Sequence, residues 1–88
     1  MPYITKERKE AIDPDRELAA IAGECATVGE LTWAITRLTL DYLGRHYDYA
    51  KLAECIAALE GSKLELYRRV AGPYEDNKRR ENGEVYFR

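Results

Sequence analysis

The residues that build metal centres and nucleophilic active sites are scarce in this chain. Its 88 residues include one histidine, His46, and two isolated cysteines, Cys25 and Cys55. One histidine cannot supply a His-rich metal site, and no Ser/His/Asp or Cys/His spacing nominates a nucleophile. We therefore expect no cofactor, no metal and no catalytic residue, with a small oligomeric hydrolase as the weakest alternative. Cysteines in this arrangement are typical of free thiols in a reducing compartment.

Long apolar runs and a strong charge of one sign are also missing. No stretch approaches the ~20 apolar residues of a membrane span, and the N-terminal decapeptide is charged where a signal peptide is apolar. We expect a cytoplasmic protein, in its own cell or in a host cell, with no membrane partner. Basic and acidic side chains number 14 and 16 in the whole chain, and 7 and 5 in residues 61–88. Nucleic-acid binders usually concentrate far more positive charge.

Helical periodicity is what the chain has in abundance. Asp13-Pro14 predicts the start of a short helix that ends near Cys25. Thr27 and Glu30 form a capping box, which predicts a second helix to about Arg45. This second helix has apolar stripes on two opposite faces, Leu31, Ile35, Leu38 and Tyr42 on one and Trp33, Thr36, Leu40 and Leu43 on the other. Because a surface helix needs one stripe, two stripes predict that both faces are covered.

A third helix is predicted from Asp48 as N-cap to Gly72, with one apolar face that contains Leu52, Ile56, Leu59, Leu66 and Val70. The short connection predicts an antiparallel hairpin. Pro73 is expected to bend or end this helix, because it lacks an N–H and crowds the preceding turn. A short helix from Tyr74 to Arg80, a stop at Asn82-Gly83 and docking of residues 85–87 on the helices complete the prediction.

Lys63 lies in the middle of the apolar face of the third helix. An unpaired buried ammonium is costly, so Lys63 must reach solvent, pair with a carboxylate or face a cavity. In a hairpin that turns near His46, its expected partner is Glu30, with Glu60 as the alternative. A lysine bonded at the helix seam is favoured over a cleft lysine that grips an anion.

The segment from Tyr67 to Tyr86 combines arginines with tyrosines. Such a surface can hold nucleic acid, but the same cations can pair with neighbouring carboxylates at helical spacing. Glu75 and Asp76 fit the first turn of a helix, where the dipole favours negative charge, so they do not indicate a Mg²⁺ site. The candidate binding residues are Lys63, Tyr67, Arg68, Arg69, Tyr74, Glu75, Asp76 and Lys78.

Several motifs carry a family resemblance over most of residues 28–86. It begins with Gly29-Glu30-Leu31 and Ala34-Ile35-Thr36-Arg37-Leu38, and it is strongest in Lys63-Leu64-Glu65, Tyr67-Arg68-Arg69-Val70 and Pro73-Tyr74-Glu75-Asp76. It continues through Lys78 and Glu81-Asn82-Gly83-Glu84-Val85-Tyr86. In these motifs the chain resembles a family of short proteins of phages and prokaryotes that has no assigned activity. The resemblance implies that a local site, if there is one, lies between Lys63 and Tyr86.

The sequence thus predicts an all-α single domain over residues 1–88. It consists of an N-terminal arm and short helix (1–26), a long antiparallel helical hairpin (27–72) and a bent C-terminal extension (73–88). The expected function is that of a non-enzymatic interaction protein, acting as a homodimer and with a protein partner at residues 63–86. The alternative is a nucleic-acid-associated accessory protein that uses the Arg/Tyr segment 67–86.

Overall fold

The structure is a computed structural model that describes residues 2–86. Within that range it contains helices joined by short connections and no strand, which confirms the predicted all-α class. The elements are α1 (Lys6–Ile12), α2 (Glu17–Glu24), α3 (Val28–Leu43), α4 (Tyr49–Leu66), a π-helical turn (Tyr67–Ala71) and α5 (Gly72–Asn82). None of the described helices is both long and apolar enough to cross a membrane.

Side-chain caps explain where the two longest α-helices begin. The Glu30 N–H donates to the Thr27 hydroxyl at 3.1 Å, and the Glu30 carboxylate accepts from the Ala26 N–H at 2.8 Å. The Lys51 N–H donates to the Asp48 carboxylate at 2.8 Å. Each cap satisfies an N–H that has no partner inside the helix, so the predicted starts of α3 and α4 are confirmed.

The predicted start of α2 at Pro14 is wrong by one turn. The chain makes a turn after Asp13, closed by an Arg16 N–H to Asp13 carbonyl bond of 3.3 Å, and α2 begins at Glu17. Arg16, at φ 56°, adopts the left-handed conformation there. The Asp13 carboxylate still acts as a cap, since it accepts from the Glu17 N–H at 2.7 Å.

The helix changes type just before Pro73, which agrees with the prediction that Pro73 disturbs it, and Pro73 lies in the first turn of the new helix α5. A bend of the helix axis at this point stays a prediction. The chain passes from α4 through the π-helical turn into α5 without a loop, and it leaves the helix only at Gly83, which has φ 95°. In the π-helical turn the Gly72 N–H donates to the Tyr67 carbonyl, five residues back. This wider turn directly precedes Pro73 and accommodates a ring that would clash with a regular α turn.

The chain divides into two compact units, Met1–Ile56 and Ala57–Arg88. In the first unit, α3 and the start of α4 meet beside their connecting turn, where the Tyr42 hydroxyl donates to Glu54 at 3.0 Å and the Lys51 ammonium lies 3.9 Å from the Tyr42 ring centre. Cys55, 4% exposed, is buried next to this contact. The hairpin is therefore seen at its turn. Its packing along the rest of residues 27–72, and the single domain, stay predictions.

Candidate functional site

The eight candidate binding residues all lie in the second unit, on consecutive helical segments. Lys63 is in the last turn of α4, and Tyr67, Arg68 and Arg69 are in the π-helical turn. Tyr74, Glu75, Asp76 and Lys78 follow in the first two turns of α5. Because no loop separates these segments, the eight side chains lie on the surface of one continuous helical run, and consecutive residues such as Tyr67, Arg68 and Arg69 lie on different sides of it.

Tyr67 and Glu75 form the longest-range bond on this surface. The Tyr67 hydroxyl donates to the Glu75 carboxylate at 3.1 Å across eight residues. This hydrogen bond raises the pKa of Tyr67, and the charge of Glu75, partial burial and the nearby Tyr86 and Asp76 raise it further. The phenol is consequently held in its protonated, donating form well beyond neutral pH.

The residues after α5 turn back beside the helix. Glu84 lies 3.6 Å from the Arg79 guanidinium, and its carboxylate accepts the N–H groups of Val85 and Tyr86 at 3.1 and 2.9 Å. A groove of about 490 Å³ lies between this segment and α5. Val85 remains 77% exposed, so its predicted docking on the helices is wrong, and Phe87 lies outside the described residues.

Lys63 pairs with Glu60 at 3.1 Å, within its own helix. Glu30, the partner expected from the hairpin, instead caps α3 through the Ala26 N–H. The ammonium side chain of Lys63 is 69% exposed. The alternative partner is thus the correct one, because the i, i+3 spacing on one helix brings the two groups together without any tertiary contact.

Other cations of this surface are paired in the same local way. The Arg68 Nε donates to Glu65 at 3.2 Å, Lys78 lies 3.4 Å from Glu81, and Arg79 lies 3.8 Å from Asp76. The Lys78 ammonium also lies 5.7 Å from the centre of the Tyr74 ring. Among the described residues, no ion pair joins Arg69 or Arg80 to a carboxylate, and Arg80 donates to the Asn77 side-chain oxygen at 2.6 Å. Most of the positive charge that could meet a phosphate backbone is therefore neutralised on the helix itself.

A second cavity, of about 1060 Å³, lies at the turn between α3 and α4 and was not anticipated from the sequence. It is lined by Tyr42, Leu43, Arg45, His46, Tyr47, Asp48 and Lys51. The feature of the sequence that could have indicated this cavity is the concentration of aromatic and charged residues at positions 42–51. A search for metal-ligand or catalytic spacings does not detect it. In this turn His46 is exposed, as predicted. Across residues 2–86, no group of three or more His, Cys, Asp or Glu side chains has a geometry that could hold a metal ion.

Comparison with protein families shows that one family model matches nearly the whole chain. The model described as "Domain of unknown function (DUF6899)" matches residues 1–85. The chain belongs to the DUF6899 family. This confirms the expected membership of a small family without an assigned activity, whereas the phage source and the C-terminal motif stay predictions. Searches of curated proteins and of solved structures gave no match.

Proposed function

We propose that this DUF6899 chain is a non-enzymatic helical interaction protein of the cytoplasm of a prokaryote or a phage-infected cell. In this proposal it acts as a homo-oligomer, at its simplest a dimer, and presents residues 63–86 to a protein partner. The observation that carries the proposal is the near absence of a core within one chain. Among residues 2–86, Cys55 is the only buried residue.

Both apolar stripes of α3 support this proposal. Leu38 belongs to the first stripe and is 62% exposed, and Trp33 belongs to the second and is 67% exposed. Leu40, opposite Leu38, is also exposed. Large contiguous apolar patches are uncommon on monomeric proteins and indicate interaction surfaces. A second chain that covers either face would bury side chains which a single chain leaves in water.

The accessible surface of the chain supports the proposal quantitatively. A folded monomer of 10.1 kDa is expected to expose roughly 5300 Å². This chain exposes 8233 Å², an excess of roughly 2900 Å² over that expectation. Each partner of an obligate dimer buries about 1000–2500 Å². The excess is therefore large enough for an obligate interface.

The test is the molar mass of the purified protein, measured by light scattering at micromolar concentration. We expect a dimer or a larger assembly, and a strict monomer would contradict the proposal. Leu38→Asp should dissociate the assembly, because it puts a charge in the apolar contact. Thr32→Asp, at an exposed position of α3 outside both stripes, is the matched control and should leave the mass unchanged. Trp33, the only tryptophan, reports assembly through the wavelength of its fluorescence.

The nucleic-acid alternative has weaker support. Tyr74 and Tyr86, which are exposed, and Arg69, which has no ion pair within residues 2–86, favour it, since bases stack on aromatic rings and arginine binds phosphates. The ion pairs of Arg68, Lys78 and Arg79 count against it, because a phosphate would have to displace a carboxylate that is already in place. It therefore stays the second proposal.

A further inference from the structure

The second unit has an apolar stripe that its own residues do not cover. Leu59, Lys63, Leu66 and Val70 follow one another at intervals of four, three and four residues, which is the sequence spacing of a coiled-coil seam. The first three lie on α4, and Val70 lies in the π-helical turn that continues it. The three apolar members are 44%, 63% and 59% exposed in chain order. Within this unit the end of α4, the π-helical turn and α5 follow one another directly, so no second helix of the unit lies beside the stripe.

A second copy of this chain is the occupant that the surface areas favour. The excess surface of about 2900 Å² per chain is more than enough for the roughly 1000–2500 Å² that each partner of an obligate dimer buries. A stripe with heptad spacing can also pack against a copy of itself, because the side chains of each helix fit into the spaces between the side chains of the other. Four residues account for only part of that area.

Lys63 decides the orientation of such a pair. In a parallel pair, equivalent positions face each other, so the two Lys63 ammonium groups would meet in the seam and repel. In an antiparallel pair with its twofold axis between residues 64 and 65, Lys63 faces Leu66 of the second copy and Leu59 faces Val70. The Lys63 side chain can then cover apolar surface with its methylene groups while its ammonium stays on Glu60 at the rim.

We propose that the stripe of Leu59, Lys63, Leu66 and Val70 pairs with the same stripe of a second copy in antiparallel orientation, and that Lys63 excludes the parallel pair. This inference rests on the proposed homo-oligomer and adds its contact surface and orientation. A polar side chain at one core position of a seam is known to set orientation and oligomer state at a cost in stability.

Two measurements test the orientation, both on the full chain with Cys25→Ser and Cys55→Ala. The first is disulfide trapping. Leu59→Cys combined with Val70→Cys should give a covalent dimer on mild oxidation, whereas Leu59→Cys alone should not, because the two copies of residue 59 would lie about 16 Å apart along the axis. Covalent dimers from Leu59→Cys alone would show a parallel pair and overturn the inference.

The second measurement leaves the seam intact, in case the cysteine pair impairs folding. A nitroxide on Asn77→Cys, which is exposed on α5, reports the distance between the two copies by electron spin resonance. With 1.5 Å rise per residue, an antiparallel pair gives about 35–40 Å and a parallel pair less than about 20 Å. Adding Lys63→Met should create a mixture with a short-distance component, and an unchanged single distance would remove the role assigned to Lys63.

The outcomes separate this inference from the proposed function. A monomeric mass for the unlabelled protein would contradict the homo-oligomer itself. Two results would contradict only the antiparallel seam, provided that the mass is that of a dimer. One is a short nitroxide distance. The other is the absence of a covalent dimer from the Leu59/Val70 cysteine pair in a protein that circular dichroism shows to be folded.

Discussion

At the residue scale, side chains of the second unit find partners along their own helix. Lys63 bonds Glu60, Arg68 bonds Glu65 and Lys78 bonds Glu81, each three residues apart. Exposed pairs of this kind contribute about 0.2–0.5 kcal/mol each. They stabilise the helix locally and do not hold one part of the chain against another.

The bond between Tyr67 and Glu75 predicts an unusual titration. Glu75→Gln should lower the pKa of Tyr67 towards its ordinary value of about 10, because it removes the charged acceptor that favours the protonated phenol. Since the folded-state pKa is raised, the bond stabilises the fold below that ordinary value, and the stabilisation is lost as pH rises through the folded-state pKa. Phenolate absorbance during an alkaline titration measures this.

Tyr67→Phe is the control for that experiment. It should remove the phenolate component that Glu75→Gln shifts, so Glu75→Gln should have no effect on the titration of the Tyr67→Phe protein. A shift that Glu75→Gln still produces in that protein would contradict the assignment of the raised pKa to Tyr67.

Replacement of Lys63 by an apolar residue of similar length should not destabilise the protein. Lys63→Met removes the cost of holding an ammonium at an apolar seam, so the thermal midpoint should stay constant or rise. Lys78→Met, which removes a similarly paired lysine away from the stripe, is the control and should change the midpoint by no more than a surface ion pair does, ~0–1 kcal/mol. A fall of many degrees for Lys63→Met alone would show that the ammonium has another role.

At the element scale, the π-helical turn is the feature that sets this helix apart. It absorbs one extra residue before Pro73 and so keeps α4 and α5 in one continuous helical run. Such turns occur frequently at functional sites. Gly72 is the residue on which the turn depends most closely, because a Cβ there would lie 3.2 Å from the Tyr67 carbonyl oxygen.

Two glycines of the same helical run form a matched pair that tests this dependence. Gly61 has open space around its Cα, so Gly61→Ala should stabilise the helix by about 1 kcal/mol. Gly72→Ala gains the same helix propensity but crowds the Tyr67 carbonyl, so its gain should be smaller or negative. Urea unfolding of the two variants measures the difference. Equal stabilisation would show that the turn relaxes without cost.

At the scale of the whole molecule, the balance of charge predicts poor binding to nucleic acid. Affinity for DNA or RNA depends on cations that neutralise phosphates and release counterions, and most cations of residues 63–86 are already paired. We expect no binding tighter than the non-specific range of about 10⁻⁴ to 10⁻⁶ M at physiological salt. Fluorescence titration with single- and double-stranded oligonucleotides at two salt concentrations measures this.

The contradicting result is equally specific. The nucleic-acid role would become the leading proposal if the protein bound oligonucleotides with a sub-micromolar Kd that weakens steeply with added salt. The double change Arg68→Ala and Arg69→Ala would also have to abolish this binding while the protein stays folded. Thr36→Ala, at an exposed polar position of α3, is a control that should leave any such binding unchanged.

Several features of this protein were determined by the sequence alone, because they depend on residues a few positions apart. The Thr27 and Asp48 caps, the helical class and the Lys63–Glu60 alternative all follow from spacings of three or four residues. One local prediction failed, at Pro14, because a proline after Asp13 fits a turn as well as a helix start. At Pro73 the sequence predicted a disturbed helix, but composition alone does not show that the disturbance is a π-helical turn.

Only the structure decided which apolar residues are buried, and that Lys63 meets Glu60 and not Glu30. Helical periodicity predicts the apolar stripes of α3 and of Leu59 to Val70. It shows which side of a helix is apolar, but not which part of this chain or which other protein packs against that side. The structure leaves those faces exposed, pairs Lys63 within its own helix and joins Tyr67 to Glu75 across the π-helical turn. The hydrophobic effect is not directional, so an apolar face can be buried by the same chain or by another one. Which apolar faces a single chain leaves exposed therefore depends on how its helices pack, and helical periodicity does not specify that packing.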